Sequence, residues 1–69
     1  MMRFRFKTDF DCPIGKLRAG DEITIVKGFF YFNGGMIEPQ YYPLFEKLLR
    51  DKKMFDKYLK QVPIPYNKA

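Results

Sequence analysis

Apolar positions recur every second residue up to about residue 38, and at a helical spacing after about residue 43. Residues 3–7 alternate strictly, with Phe4 and Phe6 on one face and Arg3, Arg5 and Lys7 on the other, the pattern of a half-buried strand. Residues 8–16 carry Asp9, Asp11, Pro13 and Gly15 and read as a loop. Ala19-Gly20-Asp21 predicts a turn, and the β-branched run 22–26 predicts a second strand. Lys27-Gly28 fits a two-residue hairpin loop, residues 29–32 a third strand, and Asn33-Gly34 a type I′ turn, with 36–38 closing the meander.

Those turns fix a register. A two-residue loop at Lys27-Gly28 sets Val26 opposite Phe29, Ile25 opposite Phe30, Thr24 opposite Tyr31 and Ile23 opposite Phe32. The loop at Asn33-Gly34 sets Phe32 opposite Gly35, Tyr31 opposite Met36 and Phe30 opposite Ile37. Opposed residues share a face. Ile23, Ile25, Phe30, Phe32 and Ile37 therefore form the core face, and Thr24, Val26, Phe29, Tyr31 and Met36 form a second face apolar enough to need a cover.

The C-terminal segment is the expected cover. Pro43 suits the first turn of a helix, and Leu44, Leu48, Phe55, Leu59 and Val62 fall in one arc at about 100° per residue. Asp51 falls in the same arc, which favours a break there, with Asp51 capping a second helix from Lys52. Residues 43–61 are one helix or two, and Pro63 and Pro65 make 62–69 an extended tail.

Length and composition narrow the function. With 69 residues there is one domain, residues 1–69, and 46% hydrophobic with 19% aromatic content marks a folding chain rather than a disordered one. There is no His, Ser or Trp, and Cys12 is the only cysteine. Disulfide frameworks, His/Cys zinc sites and Ser-His-Asp or Cys-His catalysis are excluded within one chain. Asp9, Asp11, Asp21 and Glu22 lack the spacing of a calcium loop and read as turn chemistry. The expectation is a non-enzyme without cofactor or metal. A lone cysteine suits a reducing interior, and no apolar run approaches the roughly 20 residues of a membrane span, so a cytoplasmic protein is expected.

Residues 3–42 also carry a family resemblance. Phe6-Lys7-Thr8-Asp9-Phe10-Asp11, Leu17-Arg18-Ala19-Gly20-Asp21-Glu22-Ile23-Thr24-Ile25 and Gly35-Met36-Ile37-Glu38-Pro39-Gln40-Tyr41-Tyr42 resemble three segments of Src-homology 3 (SH3) domains. These are the aromatic strand running into an acidic loop, the Gly-Asp turn before a hydrophobic strand, and the closing Gly-hydrophobic-Pro-x-x-Tyr segment. The resemblance implies an SH3-like β-barrel. It does not extend to the proline-peptide groove, since the tryptophan of that groove is absent and the matching loop is short. The expected fold is thus α+β: a small SH3-like β-barrel or curved antiparallel sheet over 3–42, one or two helices over 43–61, and the tail 62–69.

The net charge of +5, from 13 Lys and Arg against 8 Asp and Glu, favours an acidic partner. Two basic surfaces are candidates. Arg50, Lys53, Lys57 and Lys60 line one side of a continuous helix and could track phosphates, or could simply be a solvated face. Arg3, Arg5 and Lys7, if joined by Phe29 and Tyr31, make a platform of cations and aromatics, unless the helix covers those aromatics. The tail, Val62-Pro63-Ile64-Pro65-Tyr66, either docks in a partner or wraps its own domain. In its size and its lack of catalytic groups the chain also resembles small bacteriophage-encoded modifiers of host machinery. The reading is a regulator or inhibitor that occupies an acidic surface of a larger cytosolic protein. Direct RNA or DNA binding is the alternative, and a homodimer is compatible with both.

Overall fold

The computed structural model describes residues 1–64. Strands β1 (Met2–Phe6), β4 (Glu22–Val26), β5 (Phe29–Phe32), β6 (Gly35–Met36) and β7 (Leu59–Gln61) form one antiparallel sheet in the order β6-β5-β4-β1-β7. Strands β2 (Phe10–Cys12) and β3 (Gly15–Leu17) form a separate hairpin. A 3₁₀ turn at Pro39–Tyr41 leads into helix α1 (Tyr42–Arg50), followed by α2 (Lys52–Tyr58). The architecture is α+β, and the sheet is open rather than a closed barrel.

The turns impose the expected register. Lys27 and Gly28 have φ of 50° and 82°, and Asn33 and Gly34 have 49° and 88°, as type I′ loops require. The pairs from Ile23↔Phe32 to Val26↔Phe29, and Tyr31↔Met36 with Phe32↔Gly35, all form. Ile37 continues the ladder, its N–H donating to the Phe30 carbonyl at 2.9 Å. The Phe30 N–H, on the same side of the strand, is served by a side chain instead, donating to the Tyr42 hydroxyl at 3.1 Å.

The core lies between the sheet and the helices. Phe4, Phe6, Ile23, Phe30 and Leu59 project from one sheet face, and Phe45 and Leu48 of α1 close over them, with Leu17 and Ile37 at the margin. The helices therefore cover the Ile23/Phe30 face. This corrects the expectation that they cover Phe29 and Tyr31, and the reason is that α1 has one apolar stripe and the larger apolar face takes it.

Of three further elements, two differ from expectation and one agrees with it. Residues 8–16 are not all loop: Phe10 pairs with Leu17 across the β2–β3 hairpin, and Phe10 stacks on Phe6 with ring centroids 6.1 Å apart. The helical segment breaks at Asp51, whose carboxylate accepts from the N–H groups of Lys53 (3.0 Å) and Met54 (3.2 Å), as the cap reading expects. Finally, α2 ends at Tyr58 and residues 59–61 are a strand, with Val62 donating to the Arg3 carbonyl at 2.9 Å. Val62 precedes Pro63, and a residue before proline is driven out of the helical region. Val62 is buried and Ile64 is exposed, while Tyr66, the other residue expected to pack, lies outside the described residues.

Candidate functional site

With both helices on one face, no helix or strand among the described residues covers the opposite face of the sheet. Strand alternation places Arg3, Arg5, Glu22, Thr24, Val26, Phe29, Tyr31, Met36 and Lys60 there. Phe29 is 52% exposed and Met36 68%, with Tyr31 and Val26 half-buried between them. The β5 and β6 strands thus supply an apolar and aromatic end, while β1, β7 and the start of β4 supply a charged end.

The charged end is ordered by one carboxylate. Register sets Glu22 directly opposite Arg5, with Arg3 two residues along the same strand. Arg5 donates to Glu22 Oε2 from Nε at 3.0 Å and from Nη2 at 2.8 Å. Arg3 donates from Nε to Oε1 at 2.9 Å and from Nη2 to Oε2 at 3.1 Å, and its Nη1 reaches the Pro63 carbonyl at 3.4 Å. These hydrogen bonds, first from Arg5 and then from Arg3, together with the two positive charges, hold the Glu22 carboxyl below its ordinary range against an opposing effect of burial.

That shift has a sign that can be tested. A carboxyl with a folded pKa below its unfolded one stabilises the fold above the unfolded pKa, near 4.3 for Glu, and this contribution disappears as pH falls through the folded value. Wild type is expected to lose more stability than Glu22→Gln between pH 7 and pH 3, measured as the urea midpoint at each pH. Parallel curves for the two proteins would show that the cluster contributes nothing.

The expected cations fall in different places. Lys7 does not join the open face: its ammonium donates to the Asp56 carbonyl at the end of α2. The expected stripe Arg50, Lys53, Lys57 and Lys60 is not one stripe, because the chain breaks at Asp51 and Lys60 sits on β7 opposite Arg5. Lys60 instead becomes a third cation of the open face, while Arg50, Lys53 and Lys57 stay on the helix layer. Sequence reasoning missed Glu22, assigned to turn chemistry, because its role depends on β1 pairing with β4, and no short turn encodes that pairing.

Both sheet edges are short. β6 has two residues and is followed by Pro39, and β7 has three and is followed by Pro63. Proline offers no N–H to a further strand, so the accessible feature is the face and not the edges. Among the described residues no group of three or more Cys, Asp or Glu side chains is placed to hold a metal ion, and no helix is long and apolar enough to cross a membrane. Comparison of the chain with protein-family models, with curated proteins and with solved structures gives no match.

Proposed function

We propose that the protein is a non-enzymatic binding module, a regulator or inhibitor that lays the open face of its sheet on an acidic-rimmed surface of a larger cytosolic protein. The observation that carries this reading is the face left uncovered among the described residues, with Phe29, Tyr31 and Met36 at one end and Arg3, Arg5 and Lys60 at the other. Interface cores are enriched in Tyr, Phe, Met and Arg, and hot spots cluster on aromatic and Arg anchors. Glu22 already orders both arginines, so less side-chain entropy is lost when a partner engages their remaining N–H groups. Three cations against one carboxylate leave the face positive, which favours an acidic partner over a second copy bringing the same positive face. The resemblance of residues 3–42 to Src-homology 3 domains belongs to the same proposal at the level of fold, with the open sheet face in place of a proline-peptide groove. The single cysteine fits a reducing compartment.

The test is affinity capture at physiological salt with three immobilised proteins of equal circular dichroism: wild type, Phe29→Ala/Tyr31→Ala, and Lys53→Glu/Lys57→Glu. Wild type and the helix variant should retain the same specific protein, with retention falling at least tenfold for Phe29→Ala/Tyr31→Ala. Hot-spot truncations of about 2 kcal/mol produce a loss of that order or more. Retention that ignores Phe29 and Tyr31 but needs Lys53 and Lys57 would remove the sheet face from the proposal.

A further inference from the structure

The helix layer presents a second surface with different chemistry, on the side of the molecule opposite the open sheet face. Lys47 and Arg50 stand three residues apart on α1, and Lys53 and Lys57 stand four apart on α2, so each pair shares a helical side. All four are exposed, and none has an ion-pair partner among the described residues. The acids of the same helices are largely occupied. Asp51 caps α2 through the N–H groups of Lys53 and Met54, and Asp56 pairs with Lys52 at 3.4 Å. Asp51 keeps its negative charge while capping, so Glu46 and Asp51 stand against the four cations and leave the layer positive by two.

What this surface lacks decides its partner. The exposed large hydrophobics among the described residues are Met1, Met2, Ile14, Phe29, Met36 and Ile64, and none of them lies on α1 or α2. A protein interface needs apolar or aromatic anchors at its centre, and a single-strand platform needs exposed rings on which bases stack. A phosphate backbone needs neither, only cations that displace its condensed counterions.

We infer that the helix layer binds the backbone of double-stranded nucleic acid without regard to sequence, through Lys47, Arg50, Lys53 and Lys57. This site is separate from the open sheet face and does not rest on the function proposed for it.

The experiment is fluorescence anisotropy of a labelled duplex DNA of about 20 base pairs, about two helical turns, titrated at about 50 and about 200 mM salt, the range over which phosphate contacts are most visibly weakened. Four phosphate contacts give a log–log salt slope of about −3.6, so affinity should fall about 100-fold over that range. Lys53→Glu/Lys57→Glu should lose at least tenfold at the lower salt, and Phe29→Ala/Tyr31→Ala should bind as wild type does. Polyglutamate at equal charge serves as competitor and should displace the duplex poorly. The inference is overturned by absence of duplex binding at the lower salt, by indifference to the lysine reversals, or by equal displacement by polyglutamate. Loss of binding in Phe29→Ala/Tyr31→Ala alone would instead move nucleic acid to the sheet face.

Discussion

Phe6→Ala is expected to leave the protein largely unfolded at 37 °C. Phe6 is 1% exposed and sits on β1, the strand between β4 and β7. Its ring stacks on Phe10, which in turn meets Tyr58 edge-on with centroids 4.7 Å apart, so one side chain joins the sheet to the β2–β3 hairpin and to the end of α2. Truncating a buried Phe to Ala costs about 3–5 kcal/mol in transfer and cavity energy. A chain of this length has a total stability of only about 3–10 kcal/mol. The cost is therefore comparable with everything that holds the fold. Urea unfolding followed by far-ultraviolet circular dichroism measures it, and Phe6→Leu, which leaves a smaller cavity, should keep a cooperative transition. A Phe6→Ala midpoint equivalent to less than about 1 kcal/mol of loss, well under the expected range, would show that Phe10 and its neighbours collapse into the space.

Tyr42→Phe is expected to cost about 1–3 kcal/mol although it deletes a single oxygen, the penalty of a partly buried donor left unpaired. The reason lies in the length of β6. Its two residues pair with Tyr31 and Phe32, Ile37 serves the Phe30 carbonyl, and among the described residues no backbone carbonyl serves the Phe30 N–H. The Tyr42 hydroxyl accepts that proton, while its ring packs against Phe30 at a centroid distance of 4.5 Å. The substitution keeps the ring and removes the acceptor, so packing and hydrogen bonding separate cleanly. Two readouts check it: the urea midpoint should fall, and the Phe30 amide should exchange faster with solvent in the variant than in wild type. An unchanged midpoint together with unchanged protection would mean that the bond contributes no stability.

The limits of what the sequence reveals follow from the range of the interactions involved. The β4–β5–β6 meander is legible because Lys27-Gly28 and Asn33-Gly34 are local, and a two-residue loop leaves only one register. The Asp51 cap is legible for the same reason. The pairing of β1 with β4 and β7 joins residues far apart in the chain, and no adjacent turn announces it. Three residues that depended on that pairing fall elsewhere than the sequence suggests: Glu22 reads as a turn residue, Lys60 as the end of a helical stripe, and Lys7 as a member of the strand face, whereas Arg3 and Arg5 do share a face with Phe29 and Tyr31. Which sheet face the helices cover is equally non-local. Both faces carry aromatics, and the choice rests on Phe4, Phe6 and Leu59 adding to Ile23 and Phe30 once the outer strands dock.

The place of β7 also orders events in time. Leu59–Gln61 pairs with β1, and Val62 bonds back to Arg3, so nearly the whole length of the chain separates the two partners. During synthesis β1 emerges well before β7, and Phe4 and Phe6 have no cover from Leu59 until that segment has left the ribosome. Such long-range closure is slow to find, and it makes the sheet complete only in a single late step. Until that step the nascent chain exposes the apolar side of β1, Phe4 and Phe6, and exposed apolar surface of this kind is what makes a folding intermediate prone to aggregate.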